Sequence, residues 1–191
     1  MDVEREDRLS DTVVRSHLWQ DIMFDLVTSH DFYAMLVQDF DDFMDEQSSA
    51  RRALHCAVTA YHLHEWVWGD WLAKDYDTWK ALGIRDKDSF LAWIDDTCPW
   101  FPIIQRLANG TKHFIRDQDF GAKKIGGYGQ GPYGVGPYGQ SYLLIESGEG
   151  AAEHQYYAAA SLLEVVVRFW RDFFIKYRPI ASLPVSKHHV D

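Results

Sequence analysis

The chain has 191 residues, 47% of them hydrophobic, and a net charge of −10, which excludes a wholly disordered polypeptide and leaves enough chain for one sizeable core. No apolar run approaches the roughly 18 residues that span a bilayer. The opening stretch Met1 to Asp7 is acidic where a secretory leader is basic and then apolar, so a cytoplasmic protein with no membrane partner is expected.

The charge is uneven. Residues 1–50 carry thirteen acids and three bases, and the other 141 residues hold sixteen of each sign, a balance that argues against passive coating of nucleic acid, which needs a basic footprint. Cys56 and Cys98 stand far apart without a Cys-x-x-Cys pairing, so buried thiols are expected and neither a disulfide framework nor a thiolate zinc site.

Taken in order, Val14, Leu18, Ile22 and Leu26 recur at helical spacing and predict a first helix over about 10–27. Asp31 is suited to cap a second, whose stripe is Phe32, Met35, Leu36, Phe40 and Phe43 and whose solvent face is Asp39, Asp41, Asp42 and Asp45. Ser48 or Ser49 precedes the longest pattern, about residues 50–74, apolar nearly all round and expected to be the central helix. A cap at Asp88 or Ser89 opens a segment with Phe90, Leu91, Trp93 and Ile94. Pro99 suits the first position of a further helix after Thr97 or Cys98, which Gly110 would end.

Beyond Gly110, residues 113–116 read as a short strand. Residues 126–141 place Tyr128, Tyr133 and Tyr138 five apart among glycines and prolines, a composition that holds no regular element and predicts a mobile loop. Ser141–Glu146 and Ala151–Tyr157 predict a β-hairpin. A last helix follows from about Ala158 to Tyr177 and is ended by Pro179, with an extended tail over 179–191. The expectation is one mainly α domain: a bundle of five to six helices with a small β-hairpin insertion before the last helix.

Two constellations carry chemistry. His55 and His62 lie seven apart on the central helix with Glu65 a turn beyond, a spacing suited to metal. The paired Glu-x-x-His units of di-iron bundles and the His-Glu-x-x-His of zincins are both absent. The ordinary reading is helix-edge histidines, with no cofactor and no metal.

The second is Gln105 to His113, where Arg106, Asn109, Lys112 and His113 gather at a helix end. Between Arg106 and Lys124 there are five bases and two acids. An RNA phosphate would be drawn here, with His113 moving protons and Arg106 or Lys112 stabilising charge. The plain alternative is a helix terminus with Gly110 left-handed and Lys112 and His113 beside the last carbonyls.

These residues resemble the HEPN superfamily of all-helical domains, whose signature is Arg followed after four to six residues by His. Arg106 and His113 meet that spacing, and Leu107 stands where a polar residue usually follows the Arg. Ala60-Tyr61-His62-Leu63 is similar to the aromatic-rich helix packed beside the motif. The resemblance implies a metal-independent endoribonuclease of a toxin or defence system, acting on RNA as a homodimer, with Arg106 and His113 central and Asn109 and Lys112 assisting. The other class open to this sequence is a non-catalytic interaction module that meets a protein partner through its acidic first half and its tyrosine loop.

Overall fold

Thr28 begins the first described helix, α1 (Ser29–Asp45), in a computed structural model that describes residues 26–110, 120–126, 130–148, 154–179 and 182–188. Its side chain accepts from the Asp31 amide while the Asp31 carboxylate accepts from the Thr28 amide. The acid expected as the cap is therefore the third helical residue of a capping box, and Thr28 is the N-cap. The helix expected over 10–27 lies almost wholly outside the described residues, as do residues 113–116.

The central helix α2 (Ala50–Asp70) starts after Ser49 and gives way to a 3-10 turn at Leu72–Lys74. It is less apolar than expected, because His55, Glu65 and Asp70 are exposed. Cys56, Ala57, Ala60, Leu63 and Val67 are its buried stripe. α1 packs along one side of it, and α5 and α6 along the others.

A short helix that periodicity does not separate from its neighbours, α3 (Tyr76–Leu82), is capped by the Asp75 side chain and closed by Gly83 at φ 71°. That is the left-handed position glycine fills without a Cβ clash. In α4 (Lys87–Thr97) a capping box joins Asp86 and Ser89, two residues ahead of the expected start. Cys98 closes α4 and is buried. α5 (Phe101–Gly110) begins after Trp100, so Pro102 rather than Pro99 occupies its first turn.

The sheet has three strands, β1 (Phe120–Ile125), β2 (Tyr142–Gly148) and β3 (His154–Ala158), antiparallel and in that order. The expected hairpin is β2–β3, and β1 adds a strand that the sequence pattern does not announce. Strand alternation divides β2 into two faces. Leu143 and Ile145 join the main core, while Tyr142 and Leu144 form a second cluster with Ile125, Ala158 and the half-buried Val135. The Leu143 amide donates to the Gln47 carbonyl at 3.0 Å and so ties the sheet to the α1–α2 turn.

α6 (Ala159–Tyr177) follows β3 directly and buries Leu162, Leu163, Val166, Val167, Trp170, Phe173 and Phe174. Beyond it, residues 182–188 lie along α1. His30 meets the Ser182 carbonyl near one end of that helix, and Asp41 and Asp45 hold Ser186, Lys187 and His188 near the other. The acidic face of α1 is thus not simply solvated. Asp39 also departs from the expectation, accepting from the Thr59 hydroxyl at 2.7 Å. No helix among the described residues is long and apolar enough to cross a membrane.

Candidate functional site

α5 turns Phe101, Ile104 and Ala108 into the core. Its helical period then leaves Arg106 and Asn109, three apart and both half-buried, side by side on another face. Gln105 donates to the Tyr61 hydroxyl at 3.2 Å, which fixes the helix against α2. The Arg106 guanidinium reaches the Ser147 hydroxyl of β2 at 3.4 Å, joining residues 41 apart.

Gly110 is the last described residue of α5 and is not among the described glycines with positive φ. The expected left-handed stop therefore does not occur there. Lys112 and His113 lie outside the described residues, so of the four expected site residues the structure describes Arg106 and Asn109.

The sheet sorts the nearby charges. Ser147 shares the parity of Leu143 and Ile145 and faces the helices with Arg106. Glu146 faces the other way, with Tyr156 directly opposite and Lys123 diagonal to it on the same side. Lys123 donates to Glu146 at 2.6 Å, and the Tyr156 hydroxyl lies 3.4 Å from the same carboxylate. Part of the basic charge expected around Arg106 is accordingly engaged on the opposite face of the sheet. Glu146 holds the Lys123 ammonium above the usual lysine range.

The metal alternative finds its residues dispersed. His55 is exposed, and His62 and Glu65 approach at 3.6 Å on the surface, where Lys87 also binds Glu65 at 2.6 Å. Lys87 above all holds the Glu65 carboxyl below its ordinary value. Among the described residues no group of three His, Cys, Asp or Glu is placed to hold a metal. His64, which no spacing pattern singles out, is the buried histidine of this helix. It meets the Tyr61 carbonyl through Nδ1 at 2.5 Å, and burial pulls its pKa down.

The tyrosine loop has more structure than its composition suggests. Residues 130–141 make successive turns, with Gly134, Gly136 and Gly139 at φ 75–80°. Gly131 and Gly136 lie so close to the Tyr142 ring that a Cβ on either would collide with it. Tyr142 is buried, whereas Tyr133 and Tyr138 are 106% and 79% exposed. The loop is thus braced from beneath by one tyrosine and presents two others outward.

A cavity of about 400 Å³ opens between Trp93 and Trp100 on one side and Phe169, Phe173 and Tyr177 of α6 on the other. Its cations are engaged with their own helix. Arg168 pairs with Glu164 at 2.9 Å, and Lys176 lies 4.9 Å from the Tyr177 ring centre.

No protein-family model, curated protein or solved structure matches this chain.

Proposed function

We propose that this protein is a non-catalytic helical interaction module that engages a protein partner through Tyr133 and Tyr138. The observation that carries this reading is their exposure on a glycine-built turn packed against Tyr142. A large ring held in water forgoes the hydrophobic gain of burial, which a partner restores. Tyrosine covers much area while losing little side-chain entropy, and a braced backbone reduces the ordering cost of association. The test is a photo-crosslinking phenylalanine analogue placed at position 133 or 138 in cells of the source organism, with position 76 as control, since Tyr76 is also 72% exposed. The same single protein adduct from 133 and 138, absent from 76, is expected. No adduct at either loop position, or one common to all three, overturns the reading.

A second reading is the metal-independent ribonuclease that the HEPN resemblance implies. The fixed position of Arg106 against Ser147, with Asn109 beside it, favours this reading. Arg106 would bind the scissile phosphate, His113 would transfer protons, and Asn109 and Lys112 would assist, in a symmetric dimer. Cleavage should then persist in EDTA, spare DNA because the RNA 2′-hydroxyl is the nucleophile, and fall about 10²-fold or more in His113→Ala. Intact RNA after incubation with micromolar unaltered protein removes this reading.

A further inference from the structure

The turn between α4 and α5 and the second half of α6 border the cavity of about 400 Å³, a size within the range of about 300–1,000 Å³ that small-molecule sites occupy. Four of its rings form one packed cluster. Trp93 lies 6.1 Å from Phe169, 5.9 Å from Phe173 and 6.2 Å from Tyr177, centre to centre. Trp100 lines the same space, half-buried, and touches none of these rings. Its ring contact among the described residues is with Tyr157 at 4.9 Å, and Tyr157 is not part of the cavity lining. Two aromatic surfaces thus border one cavity without meeting. Aromatic rings prefer offset or edge-on neighbours at about 4.5–7 Å, so a ring placed between Trp100 and the cluster gains a partner on each side.

Three charged side chains of α6 line this space at four-residue intervals. Arg168, Asp172 and Lys176 are all exposed, and their spacing sets them on one face of the helix. Glu164, one turn earlier, pairs with Arg168 at 2.9 Å and neutralises it. The other two do not pair with each other. Lys176 lies 4.9 Å from the Tyr177 ring centre, and Asp172 makes no ion pair among the described residues. The cavity therefore sets one carboxylate and one ammonium, a helical turn apart, beside its aromatic walls. A ligand with a single charge meets one of them as a like charge, whereas a ligand with both charges answers each.

We propose that this cavity binds a free aromatic amino acid. Its ring lies between Trp100 and the Trp93 cluster, its ammonium faces Asp172 and its carboxylate faces Lys176. The site goes beyond the interaction reading and shares no residue with Tyr133 and Tyr138, so the two fail separately.

The experiment is calorimetric titration of the full chain with L-phenylalanine, L-tyrosine and L-tryptophan. At least one should bind with a Kd of about 1 mM or below. L-Leucine, with the same charged groups on an aliphatic side chain, should bind about threefold more weakly or worse. The amino acid that binds best is then compared with its decarboxylated amine and its deaminated acid, each of which should bind about fivefold more weakly. Asp172→Asn should weaken the amino acid and the amine by about fivefold and leave the acid unchanged, and Lys176→Gln should weaken the amino acid and the acid and leave the amine unchanged. Both side chains are exposed, so these variants keep the fold and no core substitution is needed. The absence of binding by all three amino acids at about 10 mM overturns the proposal. So does L-leucine binding as tightly as the aromatic amino acid, the amine or the acid binding as tightly as the amino acid, or binding indifferent to Asp172 and Lys176.

Discussion

The indole N–H of Trp170 donates to the backbone carbonyl of Ala60 at 2.9 Å across 110 residues of chain, and both residues are fully buried. Trp71 is also buried, yet its indole N–H has no acceptor among the described residues, and the Arg178 guanidinium lies 5.4 Å from its ring centre. The two tryptophans should therefore respond differently to the loss of the indole. Trp170→Phe removes a satisfied donor and leaves space, and should lower stability by about 2 kcal/mol, with Trp170→Ala costing about 3–5 kcal/mol. Trp71→Phe relieves an unpaired donor and should stay within about 1 kcal/mol of the parent. Denaturant melts of the three variants check this, and a Trp71→Phe loss as large as that of Trp170→Phe would count against the assignment.

The braced loop predicts a selective rescue. The atom of Tyr142 nearest a Cβ on Gly131 is its hydroxyl oxygen, whereas a Cβ on Gly136 meets ring carbons and is further strained by φ 80°. Gly131→Ala and Gly136→Ala should each destabilise the loop cluster by about 1–3 kcal/mol. Adding Tyr142→Phe should recover most of the first and little of the second. Equal rescue of both in a double-mutant cycle would show that Tyr142 is not the brace.

The tail should be held over a defined pH window. Lys187 first, and then His188, hold the Asp45 carboxyl below the usual carboxylate range, and Asp45, with Asp41 and Asp42 behind it, holds the Lys187 ammonium above the usual lysine range. A depressed carboxyl stabilises above its unfolded value and loses that contribution as pH falls through the folded one. A raised lysine does the reverse as pH rises. The strap is accordingly expected to stay docked from about pH 4 to about pH 10 and to loosen outside both limits. Amide exchange at Lys187 and His188, corrected for its intrinsic pH dependence, reads this directly. Undiminished protection at pH 3 with the helices intact contradicts it.

Both thiols should be silent in the native protein. Burial pushes the Cys56 thiol well up, with Asp39 adding to it, and burial raises Cys98 against the opposing amides of Trp100 and Phe101. The thiolate is the reactive species, so a disulfide reagent at pH 8 should label neither until denaturant is added. Rapid stoichiometric labelling of the folded chain would show that one of these sites is open.

Periodicity makes most of the fold legible. The stripe through Phe32, Leu36, Phe40 and Phe43 is buried, and the last helix begins and ends within a residue of expectation. Misplacements fall where side chains compete for one role. Thr28 outcompetes Asp31, and Asp86 outcompetes Asp88, because a capping box satisfies two backbone donors where a lone cap satisfies one. β1 is illegible because Gly121, Lys123 and Lys124 break its apolar alternation, and its pairing with β2 supplies the regularity. On the sheet the expected basic charge is divided, because strand alternation turns Lys123 away from the side of Arg106 and leaves Lys124, opposite Leu143, on the helix-facing side. The tail is legible only as a composition, since a basic segment finds its acids 142–146 residues earlier in the chain.

The bond between Ala60 and Trp170 also sets an order of events during synthesis. At roughly 5–20 residues per second, a ribosome needs on the order of 10 s to pass from one to the other. Throughout that interval α2 has α1 and then α5 beside it but no α6 to complete the cover of its buried stripe. Until α6 emerges that side of α2 stays uncovered, so slower elongation between these two positions lengthens the exposure of a surface that the finished molecule never shows.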